Sequence, residues 1–448
     1  IERLFSFLDN TSEKSGVSSR YVEPLFLDYS SYLFSRDMAV VDYVLGRMKI
    51  EWDKYYGWGM INPMQNDLPF LSYFSKHSLE DALRDSSLSL AFRKRLLTLK
   101  TLSINAYLCS QIPNYEIYNF LADFQNRNRY KWPTLQQFNR EIEDKYGVNI
   151  YPFLEMWYRD TALPCFDVRD VSFFRVSMEP GLERKEYKIH FKVRNTGKAG
   201  GTLSVLITPN GFRVPFDTHY FWISPGECKE VKLYFDTYPN LLTLSMGVAA
   251  NLPNFFEYRC ESAPWTSDKQ IGIFDCTPGV FETKSDEIIV DNDDPNFRLI
   301  DKDERETLAL LRGKKEKYKE FWKASSRWQY TLNSYCYGNT IKSACVKLVG
   351  DGSAKAEWMT EIPRDGIYEI FARYIQFGPQ YPTLPSFAEL HYTVISGEEV
   401  SEVVIDTGDR SGMKGSEYWI SLGEFALKAG QAKVILDDRG KQMEDAKR

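Results

Sequence analysis

Histidine is nearly missing from this chain, with four in 448 residues. His77, His190, His219 and His391 stand far apart, none beside a carboxylate at ligand spacing, so no histidine-based metal cluster is expected. Cysteine is little more abundant. Cys109, Cys165, Cys228, Cys260, Cys276, Cys336 and Cys345 include no Cys-x-x-Cys pair, which argues against a zinc ribbon and a dithiol redox motif. The odd count leaves at least one thiol unpaired; nearness in sequence suggests Cys260 with Cys276, and most of the rest read as small buried hydrophobes. Long apolar runs are absent too, far short of the roughly 20 residues that cross a bilayer, so these residues are not expected to span a membrane. Nor is there an excess of positive charge. The net charge of −6 gives no electrostatic footing for nucleic acid. The chain starts with Ile1 rather than Met and carries no signal-peptide pattern, and it is expected to be a piece of a longer protein, cut at the front. No cofactor is implied.

What the chain does have is apolar and aromatic material, 43% and 15% of its residues, ample for packed cores. Its length exceeds what one core usually supports, so about two to four domains are expected. The apolar period changes twice. Residues 1–165 are helical in pattern: Leu25, Tyr29, Tyr32 and Leu33 form one stripe, and Leu96, Leu97, Ile104 and Leu108 another. Thr134 with Gln137 reads as a capping box and places a helix start there. Tyr55 to Pro69 reads as a loop.

From Phe166 the period is two. Tyr187, Ile189, Phe191 and Val193 alternate with Lys188, His190, Lys192 and Arg194, and the turn Asn195-Thr196-Gly197 follows. Val231, Leu233 and Phe235 repeat the device. An antiparallel, immunoglobulin-like β-sandwich is expected over 166–285. Residues 286–448 open with the acidic run Asp291 to Asp294, which reads as a solvated linker or a calcium ligand set. A polar helix is expected from Lys302 to Trp322.

Two family resemblances extend this reading. The segment Ile1-Glu2-Arg3-Leu4-Phe5, followed by Glu23-Pro24-Leu25 and the aromatic Tyr29 and Tyr32, resembles in frame the zinc helix of aminopeptidase N-like (gluzincin) metallopeptidases. That resemblance implies ligand positions at Ile1, Phe5 and Pro24, whose side chains cannot bind zinc. It implies a general-base position at Glu2, and a helix start at Thr98-Leu99-Lys100-Thr101 in which Thr98 replaces the transition-state tyrosine. A degenerate site follows, with Glu2 paired to a cation such as Lys100 and no metal bound.

The order Trp328, Tyr337-Gly338, Gly350-Asp351-Gly352, Ala356-Glu357-Trp358, Pro363-Arg364-Asp365-Gly366, His391-Tyr392 and Tyr418-Trp419-Ile420 resembles the golvesin C-terminal domain. That domain is a carbohydrate-module-like sandwich also found at the end of proteins labelled xanthan lyase. The resemblance makes Trp328, Trp358 and Trp419 candidate sugar-stacking residues, beside their ordinary reading as core.

The resulting expectation is a multidomain α+β chain: an α-helical peptidase-like domain (1–165) followed by two antiparallel β-sandwich domains (166–285 and 286–448). Functionally it reads as a pseudo-enzyme scaffold or binding module for a peptide, protein or glycan, periplasmic or cell-surface. Chains of this order resemble Bacteroidota proteins in which a membrane permease precedes a peptidase-like region. A glycan-binding module, and a fragment of an active zinc peptidase with its ligands upstream, are the alternatives.

Overall fold

The computed structural model describes residues 67–128, 134–176, 186–211, 217–282, 287–301, 317–319, 325–374, 389–406, 413–414 and 419–440. The chain forms two compact units, Ile1–Glu282 and Thr283–Arg448.

The first unit begins with six described helices: α1 Leu68–Phe74, α2 Leu79–Arg84, α3 Leu90–Gln111, α4 Asn114–Arg127, α5 Leu135–Tyr146 and α6 Tyr151–Arg159. Their ends are set by local chemistry. Ser78 accepts from the Asp81 N–H at 3.0 Å while the Asp81 carboxylate accepts from the Ser78 N–H at 2.9 Å, a reciprocal cap for α2. Ser89 caps α3 through the Phe92 N–H. Thr134 caps α5 through the Gln137 N–H, as expected, but the Gln137 side chain turns to Asn128 and Glu141 instead of reaching back. Gly147 ends α5 at φ 71°, a left-handed conformation that glycine adopts without a Cβ clash. Pro69, expected in a loop, lies in the first turn of α1, where its missing N–H costs no bond.

Leu96, Leu97, Ile104 and Leu108 are buried as the helical stripe requires, packed with Phe120, Phe124, Phe138 and Trp157. Thr98 is interior to α3. The helix start expected at Thr98–Thr101 is therefore displaced to Ser89, whose hydroxyl satisfies the first turn.

Nine strands follow in this unit: β1 Phe166–Val176, β2 Glu186–Asn195, β3 Gly201–Pro209, β4 Asp217–Ile223, β5 Cys228–Phe235, β6 Pro239–Ser245, β7 Phe255–Arg259, β8 Trp265–Thr266 and β9 Gly272–Asp275. They build sheets ordered β8-β1-β2-β5-β9 and β4-β3-β6-β7. All pairings are antiparallel except the short β1–β8 contact. Ile189, Phe191, Val193 and Val231 face Leu203, Val205, Leu242 and Phe256 in the buried core between the sheets. The expected apolar face of β2 and β5 is buried, but Lys188 and Lys232, expected toward solvent, are buried too.

The expected fold class does not hold. Among the described residues the molecule is mostly β-sheet, and the helices do not form a large peptidase-like domain. They form a layer on the β4-β3-β6-β7 sheet: Tyr107 of α3 stacks on Phe153 at 4.0 Å and meets Trp222 of β4 edge-on at 5.2 Å. Val248, Tyr220 and Trp222 join the helical core. The helical layer thus shares its apolar surface with the sheet, a dependence that helical periodicity alone does not reveal.

One disulfide joins Cys228, at the start of β5, to Cys276, just past β9. The suggested Cys260–Cys276 pair is corrected accordingly. Lys229 of β5 sits in register with Asp275 of β9, which brings Cys228 beside Cys276, whereas Cys260 is buried at the end of β7 with its thiol against the Tyr238 hydroxyl.

The second unit is built from β10 Phe297–Ile300, β11 Tyr318–Lys319, β12 Gln329–Leu332, β13 Ser343–Val346, β14 Lys355–Ile362, β15 Gly366–Arg373, β16 Glu389–Ser396, β17 Glu399–Asp406, β18 Met413–Lys414, β19 Trp419–Leu427 and β20 Gly430–Asp437. A five-stranded sheet (β10-β14-β20-β16-β17) accompanies two three-stranded ones (β15-β19-β18 and β11-β12-β13). Ile362, Val394, Leu427 and Ala432 are buried together, with Tyr368, Ile370, Phe425 and Val434 packed against them. Most of the polar helix expected at Lys302 to Trp322 lies outside the described residues. Within that span Tyr318–Lys319 is strand, not helix, because Tyr318 pairs with Tyr330 of β12 and bonds Asp293.

Candidate functional site

On β15 and β19 the register pairs Glu369 with Glu424, Phe371 with Ser421 and Arg373 with Trp419. Tyr368, Ile370, Phe425 and Leu427 turn toward the core, so Ile367, Glu369, Phe371 and Arg373 line the opposite face. Ile367 is 76% exposed, which marks that face as open. The register shifts between Ile370 and Phe371. This bulge lets buried Ile420 and Leu422 face inward while Trp419 and Ser421 face outward with their β15 partners.

Trp419 is the centre of this strip, partly exposed at the start of β19. Tyr337 meets its ring edge-on at 5.5 Å, and the Arg373 guanidinium lies 5.5 Å from the ring centroid. Arg373 also donates to the Tyr335 carbonyl at 3.4 Å. The Ser421 hydroxyl donates to Glu369 at 3.1 Å, so hydroxyl and carboxylate stand side by side along the strip.

Tyr335 and Tyr337 come from the loop between β12 and β13, which folds locally for identifiable reasons. The Asn333 side chain accepts from the Tyr335 N–H at 2.9 Å, and its carbonyl accepts from the Cys336 N–H at 3.0 Å. Gly338 has φ 127°, and a Cβ there would lie 1.8 Å from the Ile341 carbonyl oxygen, so only glycine fits. Cys336 anchors the loop in the interior, burial pushing its thiol up to about 12. It is packing, not a nucleophile.

The other candidates are placed elsewhere. Trp358 sits opposite Phe297 on β10 and Val434 on β20, on the core face, its ring 5.0 Å from that of Phe297. It is half-buried, as Trp419 is, but its ring packs against Phe297 rather than standing with a tyrosine and an arginine. Trp328 precedes β12, its backbone N–H reaching Asp301; its indole N–H is buried without a partner among the described residues, and no contact joins it to Trp419. Ile1, Glu2, Phe5 and Pro24 lie outside the described residues, as does any pairing of Glu2 with Lys100. Lys100 itself is buried, its ammonium 5.2 Å from the Phe74 ring centroid, and desolvation lowers its pKa to about 8.

The acidic run is a docking turn. Asp293 accepts from the Tyr318 hydroxyl at 2.8 Å, the Ser343 hydroxyl at 2.5 Å and the Lys317 ammonium at 2.5 Å. Asp294 accepts from the Asp291 N–H at 2.7 Å. These bonds use the oxygens that a calcium ion would need, and no group of three metal-ligating side chains occurs among the described residues.

Asp291 is the costly member of the turn. Burial, with Asp293 and Asp294 adding to it, raises its pKa to about 7 against the opposing Asn292 N–H and Lys317. A raised carboxyl pKa stabilises the fold below the unfolded value near 4 and is lost as pH rises through the folded one. Between about pH 4 and 7 the second unit is therefore expected to lose on the order of 1–3 kcal/mol, discounted for partial exposure. Urea titrations at several pH values check this: Asp291→Asn should flatten the dependence, and an unchanged slope would show that another group drives it.

Comparison with known proteins agrees with the C-terminal part of this picture. The golvesin C-terminal domain matches residues 315–446. No curated protein matches the chain. Among solved structures, a Paenibacillus xanthan lyase is 14% identical over 61% of this chain and 24% of its own, with a TM-score of 0.22. A cycloisomaltooligosaccharide glucanotransferase of Paenibacillus sp., complexed with cycloisomaltoheptaose, is 10% identical over 62% of this chain and 70% of its own, with a TM-score of 0.19. The chain thus spans about a quarter of the xanthan lyase. None of these likenesses supports the metallopeptidase resemblance, its zinc-site positions or a Bacteroidota source.

Proposed function

We propose that the golvesin-like part of this chain is a glycan-binding module, and that the strip around Trp419 is where the glycan lies. A pyranose presents an apolar C–H face ringed by hydroxyls. A fixed indole suits the face, and adjacent carboxylates and hydroxyls suit the rim. The observation that carries the reading is Trp419, held on an open sheet face by Tyr337 and Arg373 with Ser421, Glu369 and Glu424 beside it. The role is binding rather than catalysis. A periplasmic or cell-surface location fits the Cys228–Cys276 disulfide, which an oxidising compartment favours.

Affinity electrophoresis of the whole chain against a panel of polysaccharides tests the proposal. At least one polysaccharide should retard the protein, and Trp419→Ala should weaken that retardation about tenfold or more, roughly 1.4 kcal/mol. Gly338→Ala, which displaces the Tyr337 loop, should weaken it as well. Tyr115→Ala, an exposed aromatic of the first unit, should change nothing. Equal retardation of wild type and Trp419→Ala would remove the strip from consideration.

A further inference from the structure

Trp265 of the first unit is the only exposed tryptophan among the described residues, 66% open to solvent although it stands in a strand ladder. Tryptophan is highly buried on average, so this side chain forgoes a large apolar contribution. Its backbone is fixed from both sides. β8 pairs in parallel with the end of β1, which sets Trp265 beside Arg175 and Thr266 beside Val176. Just before it, the Pro264 carbonyl accepts from the Arg175 N–H at 2.9 Å. Just after it, the Thr266 hydroxyl accepts from the Asp268 N–H at 3.1 Å, and Asp268 is held in turn by the buried Lys188 ammonium. The indole is thus open to water on a backbone that cannot move freely.

Register partners in neighbouring strands project from the same face of a sheet, so the Arg175 side chain rises next to Trp265. Arg175 is exposed too, and its guanidinium has neither a hydrogen bond nor an ion pair with any described residue. Near it stands the half-buried Tyr238, whose ring meets Tyr187 edge-on at 5.4 Å and whose hydroxyl donates to the Cys260 carbonyl at 3.1 Å. The hydrogen bond with the Cys260 thiol and burial raise the Tyr238 pKa, and the Arg175 charge opposes them, so the guanidinium lies close to that ring.

We infer that this end of the first unit binds a glycan through a hexuronate ring, the C–H face of the sugar on Trp265 and its carboxylate on Arg175. The inference takes the class of ligand from the glycan reading above and adds a second, charge-selective site. A fixed indole suits a pyranose face whatever its substituents. The guanidinium is what selects among them, because its planar fork grips a carboxylate in a bidentate pair and no carboxylate of the protein has taken that place. Glu261, close in sequence to Trp265, is exposed and makes no ion pair with Arg175. The net charge of −6 repels an anionic polymer at long range, so such a polymer has to be held by a local cation rather than by the charge of the whole chain. A neutral glycan would leave the guanidinium unused, and an acidic peptide would leave the indole without a flat partner.

Affinity electrophoresis of the whole chain in a Trp419→Ala background, which silences the strip of the second unit, tests the inference. Polygalacturonate or polyglucuronate should retard the protein. The methyl ester of the same polymer, which keeps the ring and loses the charge, should do so at least tenfold more weakly. Trp265→Ala and Arg175→Gln should each weaken retardation about fivefold or more, and Arg175→Lys should keep only part of it, since an ammonium makes no bidentate pair. Both side chains are exposed, so each variant should retain the thermal transition of its background. Failure of both uronate polymers to retard the protein, equal retardation by polymer and ester, or full retardation in both variants would overturn the inference. Equal retardation by polyglutamate would overturn it as well, making the ligand an acidic peptide. If a polysaccharide still retards the wild type through Trp419 in that event, the glycan reading stands and only the site at Trp265 is lost.

Discussion

Asp438→Ala is expected to cost the second unit about 3–5 kcal/mol, a large part of a typical domain's stability. Asp438 and Lys347 form a salt bridge at 2.5 Å whose side chains are 4% and 6% exposed. The carboxylate also accepts from the Gly352 N–H at 2.7 Å and the Ala354 N–H at 3.4 Å, while its own backbone carbonyl accepts from the Gly350 N–H at 2.6 Å. The loop from Lys347 to Ala354 is thus wrapped on one residue. A Cβ at Gly350 would sit 2.0 Å from the Asp438 carboxylate, so the loop passes as close as a backbone can. Removing the carboxylate strands a buried ammonium and two buried N–H groups together. Lys347→Met should cost less, since the carboxylate keeps its two N–H donors and the methylene stem keeps its packing. Urea unfolding of both variants decides the matter: if Lys347→Met proves the more damaging, the carboxylate is not the centre of the loop.

Loss of the Cys228–Cys276 bond should be the largest single effect in the first unit. The cysteines are separated by 48 residues, for which the chain-entropy relation gives about 4 kcal/mol. Cys228→Ala/Cys276→Ala, or wild type in strong reductant, should show a thermal transition lowered by several degrees, with the double variant insensitive to reductant. The bond ties the end strand β9 to β5, so amide exchange in Gly272–Asp275 should rise first. The remaining thiols will not compensate. Burial pushes Cys109 up to about 12 and raises Cys260 and Cys345 as well, leaving them poor nucleophiles. A transition indifferent to reductant would mean that β9 is held by its ladder and by Lys229 with Asp275 alone.

The sequence by itself determined the elements whose signal is local. Period two placed β2 and β5, a threonine cap placed α5, and the leucine stripe of α3 faced inward, because each depends on residues within a few positions of one another. The golvesin likeness was legible for the same reason, since its motifs are short and ordered. Of three tryptophans with equal standing in the sequence, only Trp419 was brought to an open face with an aromatic and a cation around it. That choice was made by the bulge in β15–β19, whose local mark is Gly423 at φ 119°, and by a loop arriving from residue 337, which leaves none near position 419.

Long-range pairing likewise decided which cysteines joined and whether the helices could stand alone. It also decided the burial of Lys188. The alternation assigned that side chain to solvent, and it is 2% exposed because the Asp268 loop folds over it and binds its ammonium twice. Local patterns encode which face of an element is apolar. What covers the other face depends on segments 80 and 91 residues away, Asp268 over Lys188 and Asp438 over Lys347, and so was decided only when the chain closed on itself.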